Sequence, residues 1–589
     1  MTVDSPPATA EAEPVRLPAW RRWPIHATFV GVYVVLACYL FSGLWAGILS
    51  HGDGYLTTSS QDQYDWEWFF AVTARALTHG DNLLLSTLQG HPLGVNMMAN
   101  TAMFGLSIPL APVTLIFGPT ITWALVLTLG MAASAGCWYW LMVRHLGISP
   151  VPAAIGAAFA GFAPPIVSHA NAHPNLAVFF VLPLIIGQLL KMRTGEHRIR
   201  NGVILGLLVT YQLFLGEEAL LMAALGIAVF AVAYAVVRPR DAWASARQLL
   251  PGIGISLAVF VPLVAYPLWF QFAGPQSYDS LQHGNYGNDL AALVTFPSRA
   301  LAGDHPTALA YAYPTEENSF FGWPLVIVFL VVAVLVWRVL AARALVLTTL
   351  AITVLSLGAT VAVHGHDTGI PMPWAILGHL PLFESMLDSR LTMICVPTIG
   401  ILLAVATDLM LARTNRIKVV WSIALAAALV PIFPIPLLAT THAPTPAFFS
   451  QGIWRQYVPA GKKLPVIITV PTPEPTDMRA AHWQIEAGLG FALPEGYFVG
   501  PWDGTRQGSY GPAPRPTTEL LRRVRDSGQV AIITDQDRLN AQQDFAYWGA
   551  DLVVLPPYEN DAALQKTIEQ LLGPGRTAGG VVFWKVRVV

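Results

Sequence analysis

The sequence predicts a mainly α-helical protein, a polytopic transmembrane helical bundle of about eleven crossings followed by a small C-terminal extracytoplasmic α/β domain. Three observations carry this reading. Of 589 residues, 54% are hydrophobic and only 12% charged, roughly half the charged share of an ordinary soluble protein. Apolar runs of near-bilayer length recur from residue 26 to residue 440. Beyond 441 the charge and turn density of a soluble domain returns. Thirty-three Lys and Arg against 35 Asp and Glu leave a formal charge of -2, so no basic surface suited to nucleic acid is implied. Cys38, Cys137 and Cys395 fall far apart within apolar stretches, which argues against a disulfide framework or a thiolate metal site. They are expected to face lipid or pack.

Residues 1–25 read as a disordered cytoplasmic tail, rich in Pro, Ala and Glu. The apolar run that follows has no small-residue cleavage site and is expected to be a retained first helix. Candidate crossings lie near 26–50, 99–117, 121–143, 150–167, 175–190, 201–215, 219–237, 249–271, 323–340, 344–363, 389–411 and 419–440. Basic residues in short loops collect on the cytoplasmic side. Here they are Arg16/Arg21/Arg22, Arg144, Lys191/Arg193/Arg198/Arg200, Arg238/Arg240/Arg247, Arg338/Arg343 and Arg413/Arg416/Lys418. All share one side only if a single crossing lies between 97 and 143. The segment 99–117, with Pro109 and Pro112, is therefore expected to be embedded, broken or re-entrant, because proline removes backbone donors.

This parity places the N-terminus inside. It places 51–97, 168–174, Gly216-Glu217-Glu218, 272–322, 364–388 and the domain 441–589 outside, with 26–440 as the transmembrane domain. In the terminal domain the runs 466–470, 530–534, 551–555 and 580–586 read as strands alternating with helices near 517–527 and 560–572. The proline-rich stretch 431–446 reads as the linker.

The first outer loop is the most informative. Asp62, Asp65 and Glu67 open a stretch whose apolar residues, among them Trp66, Phe69, Phe70 and Val72, recur at helical spacing. That pattern predicts an amphipathic helix on the membrane surface. Acidic residues in a first helical turn are favoured by the helix dipole alone. Carboxylates held beside Trp and Tyr at the interface are also where a lipid-linked head group would be presented.

The ordered phrases SSQDQYDWEW, HPLGVNMMANT, LAPVTLIFGP, SHANAHPN, YQLFLGEE and FESMLDSRL, spread over residues 26–411, resemble the GT-C class of integral-membrane glycosyltransferases, in particular bacterial GT-C-like membrane proteins akin to mannosyl- and arabinosyltransferases. The resemblance implies transfer of a sugar from a polyprenyl-phosphate donor, outside the cell, to a glycan, lipid or protein acceptor. It implies that an acidic residue of the first outer loop acts as general base or helps hold a metal. Asp62 is then the first catalytic candidate and Asp65 the second, with a divalent cation as possible cofactor. Many members of that class carry two adjacent acidic residues here, whereas this chain has Asp62-Gln63.

His169 and His173 flank the short SHANAHP turn. Four-residue spacing suits a metal on one helix face, but Pro174 ends the helix and no third ligand is local. Helix-end capping or hydrogen bonding to a donor phosphate are the other readings. Glu217 and Glu218, at the outer end of an apolar helix, are either hydrated or functional, since acidic groups at membrane depth are costly. Arg390 offers a planar fork for a phosphate, with an ion pair to Asp388 or Glu384, or snorkelling, as the bland alternative.

His364, His366 and Asp367 sit close enough in sequence to suggest a metal, on a flexible loop. Asp535-Gln536-Asp537 spells DxD but is expected to be a turn and helix cap. The aromatic, Gly-rich stretch 482–512 reads as sugar-stacking faces or a packed domain edge. No Walker loop, HExxH helix or GxSxG elbow occurs, which leaves ATP-driven transport, zinc proteolysis and α/β-hydrolase chemistry without support. Two alternatives remain at this level: a transporter or flippase of lipid-linked glycans, which would want ionisable residues inside the crossings, and a non-catalytic envelope glycan-binding protein.

Overall fold

The computed structural model describes residues 19–281, 283–284 and 286–586. Residues 1–18 of the expected tail lie outside them, and the first helix already begins at Ala19. The chain is a multi-pass membrane protein. Among the described residues six helices are long and apolar enough to cross: Pro119–Arg144, Pro150–His169, Pro174–Met192, Glu217–Val237, Pro239–Ala273 and Asp388–Leu411. A seventh span is possible if Pro24–Leu40 and Ser42–His51, bent by 67°, count as one. Trp323–Leu335 and Leu340–Leu355 are apolar but shorter.

Proline sets several of these boundaries. Pro119, Pro150 and Pro239 each stand at a first helical turn, where the missing N–H costs no bond. The segment 99–117 is broken as its prolines predict, into Phe104–Ser107 and Ala111–Phe117, neither of which approaches the ~20 residues of a crossing. Two expected crossings end early. Leu340–Leu355 gives way to a hairpin of Thr360–Val363 with His366–Pro371, and Asn415–Leu429 gives way to an extended approach to the terminal domain. The apolar runs continue there, but glycine at 358 and 365 and prolines at 431, 434 and 436 favour turns and extended chain over helix.

Small residues bring the helices together. A Cβ on Gly156 would stand 2.3 Å from the carbonyl oxygen of Gly400, so Pro150–Phe162 and Cys395–Leu411 cross backbone to backbone. Gly202 and Gly206 of Arg198–Leu215 meet Gly252, Ile255, Ser256 and Val259 of Pro239–Ala273 in the same way. In lipid this close van der Waals contact takes the place of a hydrophobic driving force.

The predicted surface helix is Asp62–His79, but it does not present a polar face to water. Between Gln63 and Ala76 every side chain is buried except Asp65, Ala71 and Arg75, which are half-buried. It is sandwiched between the helices Ala111–Phe117 and Pro119–Arg144 on one side and Arg479–Glu486 of the terminal domain on the other. The helix is covered because that domain folds down on it: Trp68 Nε1 donates to Gln484 Oε1 at 2.7 Å, and Arg75 Nη1 donates to the carbonyl of Leu489 at 3.0 Å.

The terminal domain is α/β. Its four-stranded sheet runs Arg576–Ala578, Val581–Lys585, Leu552–Leu555, Ile467–Thr469, with antiparallel neighbours except the parallel last pair. Successive residues of the central strand alternate between two cores. Val553 and Leu555 join Ile468 and Trp584 on one face, while Leu552 and Val554 join Ile467 and Phe583 on the other. A strand buried on both faces therefore reads as a continuous apolar run.

The run 530–534 is not a strand. It is extended but unpaired, with Ile532 exposed, and leads into Asp535–Trp548. Thr534 caps that helix in a capping box with Asp537, so the DxD residues cap a helix. The cysteines are unpaired: Cys38 is exposed, Cys137 half-buried and Cys395 buried.

Candidate active site

Six of the seven residues singled out in the sequence line one cavity of about 570 Å³: Asp62, Asp65, His173, Glu217, Glu218 and Arg390. His169 lies directly behind, its Nδ1 3.0 Å from His173 Nδ1 and its Nε2 2.7 Å from Asn318 Oδ1. The first turn of Asp62–His79 supplies the two aspartates, and the first turn of Glu217–Val237 supplies the two glutamates. His173 precedes the Pro174 turn, and Arg390 stands in the 3-10 turn at the start of Asp388–Leu411. Asn175, Tyr278, His283, Ser385 and Tyr510 are among the other polar lining residues, and Trp66, Phe69, Leu213 and Leu268 are among the apolar ones.

Three residues were not anticipated. Glu316, from the outer stretch 272–322, organises the site. Both its carboxylate oxygens accept from Arg390 Nε at 3.1 Å, and Arg390 Nη2 closes a further contact with Glu316 Oε1. Arg390 Nη1 donates to Glu218 Oε2 at 2.8 Å. The arginine is therefore paired, though with neither Asp388 nor Glu384. The ion-pair partner in sequence order was the wrong one because a 3-10 turn and a distant loop bring Glu316 in instead. Tyr497, whose hydroxyl donates to Asp62 Oδ1 at 3.0 Å, and Tyr510 roof the cavity from the aromatic stretch 482–512. Their rings lie 5.8 Å apart and tilted by 50°. The only signal for Glu316 in the sequence was its place in an outer loop.

Acidic groups outnumber cations here, and that sets the electrostatics. Burial raises the Asp62 carboxyl to about 7, with the Tyr497 hydrogen bond pulling it down, Glu316 adding to the rise and Arg390 opposing it. Asp65 is lifted well above its ordinary value by burial and by Asp62. Burial would raise Glu316 as well, but Arg390 and the two imidazoles hold it well below the usual carboxylate range. Burial lowers His173 to about 3 against the attraction of Glu316. It is a neutral imidazole with a lone pair at neutral pH.

His173 Nδ1 lies 3.8 Å from Glu316 Oε1, and its Nε2 lies 4.0 Å from Asp62 Oδ2. His169, His173 and Glu316 each offer one ligand atom within 4.8 Å of the others'. Asp65 and Glu218 each keep one buried carboxylate oxygen without a hydrogen-bond partner among the described residues. This mixed nitrogen and oxygen donor set fits a divalent cation.

The HGHD residues form no such group. His364 sits at a positive φ of 50° in the hairpin turn and hydrogen-bonds Tyr311 at 2.9 Å, while Asp367 accepts from Thr360 Oγ1 of the facing strand at 3.0 Å and from the Gly369 N–H at 2.9 Å.

No family model matches the chain, and none of the curated proteins compared with it is similar in sequence. Solved structures are similar in shape. The apo oligosaccharyltransferase of Archaeoglobus fulgidus aligns with a TM-score of 0.50 at 12% identity, over 91% of this chain and 70% of that one. The same organism's oligosaccharyltransferase AglB, in complex with an inhibitory peptide and a dolichol-phosphate, aligns at 0.50 and 11% identity over the same shares. The arabinofuranosyltransferase AftD from Mycobacteria aligns at 0.51 and 15% identity over 96% of this chain, which spans 40% of AftD's length. The chain has a GT-C fold. Identities this low establish architecture alone. Within the GT-C fold the cavity draws on the stretches 51–97, 168–174, 216–218, 272–322 and 364–388 together with the terminal domain.

Proposed function

We propose that the chain transfers a sugar from a polyprenyl-phosphate donor to a cell-envelope glycan, lipid or protein acceptor at the outer face of a bacterial plasma membrane, with its N-terminus cytoplasmic and its terminal domain outside. The convergence of Asp62, Asp65, His173, Glu217, Glu218 and Arg390 on one cavity carries this reading.

Asp62, with its carboxyl near 7, takes the proton of an acceptor hydroxyl as that oxygen bonds to the anomeric carbon. The bond from that carbon to the phosphate oxygen breaks, and polyprenyl phosphate leaves with the electron pair. Arg390 faces the departing phosphate, while Glu218 and Glu316 hold its fork in place. Trp66, Phe69, Leu213 and Leu268 offer an apolar wall for the lipid stem. Tyr497 and Tyr510 offer ring faces for the sugar. A divalent cation held by His169, His173 and Glu316 would neutralise phosphate charge when bound. Gathering of the acidic groups at one end of the helices supports transfer over ion-coupled transport, which needs them at mid-membrane.

Glycan and lipid profiling of a deletion strain complemented with wild type, Asp62→Asn or Arg390→Ala tests the proposal. Loss of one product with Asp62→Asn at normal protein abundance is expected. Full restoration by both variants, or residues 51–97 found in the cytosol, would end it.

A further inference from the structure

A second group of ionisable side chains lies where the first-loop helix meets the terminal domain. Glu67 is fully buried on Asp62–His79, His442 is 5% exposed in the linker, and His482 stands on Arg479–Glu486. Each offers one ligand atom within 4.8 Å of the others'. We propose that Glu67, His442 and His482 bind a divalent transition-metal cation of the zinc type, which clasps the first-loop helix to the terminal domain.

The hydrogen bonds around the three residues leave the atoms a metal would need. Gln63 Nε2 donates to Glu67 Oε1 at 2.7 Å, while Glu67 Oε2 is buried with no hydrogen-bond partner among the described residues. Asp53 Oδ1 accepts from His442 Nδ1 at 2.5 Å, and Asp53 Oδ2 accepts from the His442 backbone N–H at 2.7 Å. Burial would lower the His442 imidazole, but Glu67 and Asp53 raise it to about 10, so a cation binds here by displacing the proton on Nε2, which is buried and lies 3.3 Å from Glu67 Oε2. His482 Nδ1 is likewise buried and unpartnered.

A carboxylate that orients the far nitrogen of a histidine is the usual support of a metal-bound imidazole. Two imidazole nitrogens and one carboxylate oxygen make a zinc set with a fourth position for water. The His442 and His482 rings stack at 4.2 Å with planes 6° apart. Parallel planes do not meet at one point, so binding turns one ring about its Cβ–Cγ bond. Glu67 Oε2 and His442 Nε2 face each other as an ion pair, while the buried His482 Nδ1 beside them has no hydrogen-bond partner among the described residues; a shared cation would satisfy all three.

Glu67 lies on the helix that carries Asp62 into the cavity. The clasp would therefore hold that helix in register with Tyr497 and Tyr510, but its existence does not depend on the transferase reading.

The test uses the full-length protein in detergent, stripped with a chelator and titrated with ZnCl₂, with bound metal measured by mass spectrometry and thermal unfolding followed in parallel. About one equivalent of zinc is expected to bind, to raise the melting temperature and to survive Glu316→Gln, which disables the cavity donor set. It should be lost in His482→Ala and Glu67→Gln, and Asp53→Asn should weaken it about 10–100-fold. Cobalt(II) in the wild-type chain, read by its ligand-field spectrum, reports four-coordinate nitrogen and oxygen ligation without any variant having to fold. Absence of zinc uptake, a six-coordinate cobalt spectrum, or zinc lost with Glu316→Gln and retained in His482→Ala would overturn the site. His442 would then be an imidazolium bridging Asp53 and Glu67.

Discussion

The Tyr497 hydroxyl donates to Asp62 Oδ1 at 3.0 Å across 435 residues of chain, joining the terminal domain to the first-loop helix at the candidate base. The bond stabilises the charged carboxylate and so lowers a pKa that burial has raised to about 7.

The sign of the pH dependence follows. The raised carboxyl is protonated below about 7 and becomes a base as pH rises through that value. Transfer activity should therefore climb on an acid limb centred near pH 7 in a profile of kcat/KM. Tyr497→Phe removes a hydrogen bond to a charged group, worth about 1.5–3 kcal/mol. It should move the limb upward by roughly one to two pH units. An unmoved limb in Tyr497→Phe would remove Asp62 from the role of titrating base.

Arg390 is held by Glu218 and Glu316 in a part-buried cluster. Arg390→Met takes the cation away from both carboxylates, leaving Glu316 only Asn318 and the two neutral imidazoles, and should lower stability by about 3–5 kcal/mol, the usual cost of breaking a buried pair. Adding Glu316→Gln should recover part of that loss, because one stranded charge is gone. Thermal unfolding of the two single variants and the double variant measures the coupling; strict additivity would refute it.

The proposed binding of a cation in the cavity can be tested through its donors. His173→Gln should raise the Mn²⁺ concentration needed for half-maximal transfer by more than about 10-fold, a loss at least as large as that for a supporting partner. An identical metal response in wild type and variant would exclude His173 as a ligand.

A Cβ at Gly156 has no room against the Gly400 carbonyl. Gly156→Ala should cost about 1–3 kcal/mol through overpacking at the helix crossing, visible as a lower melting temperature. Gly136→Ala, with nothing within 4 Å of its added carbon, is the control and should be neutral.

Sidedness is measurable apart from chemistry. A cysteine at the exposed Asp304 should react with an impermeant maleimide in intact cells, whereas one at the exposed Arg240 should react only after lysis. The reverse pattern would invert the topology.

His173, Glu217, Glu218 and Arg390 were legible because each is a charged or titratable group near the end of an apolar run, where desolvation makes such a residue conspicuous, whereas Asp62 was singled out by the family resemblance of the first outer loop. Glu316 was not, since an acidic residue in a long polar loop carries no such contrast. Tyr497 and Tyr510 read equally well as packing aromatics. The run 530–534 looked like a strand by composition, yet a strand needs a neighbour to hydrogen-bond to, and the sheet offers none there.

The sequence by itself determined the membrane class, the helical bundle and the α/β character of the terminal domain. Each of these depends on local hydropathy, proline placement and the distribution of charge, which are properties of neighbouring residues. Only the tertiary structure decided that Arg390 is gripped by Glu316, that the terminal domain buries the first-loop helix, and that Glu67, His442 and His482 meet. Those contacts join residues tens to hundreds of positions apart through the packing of whole elements, and no local pattern in the chain encodes the distance between them.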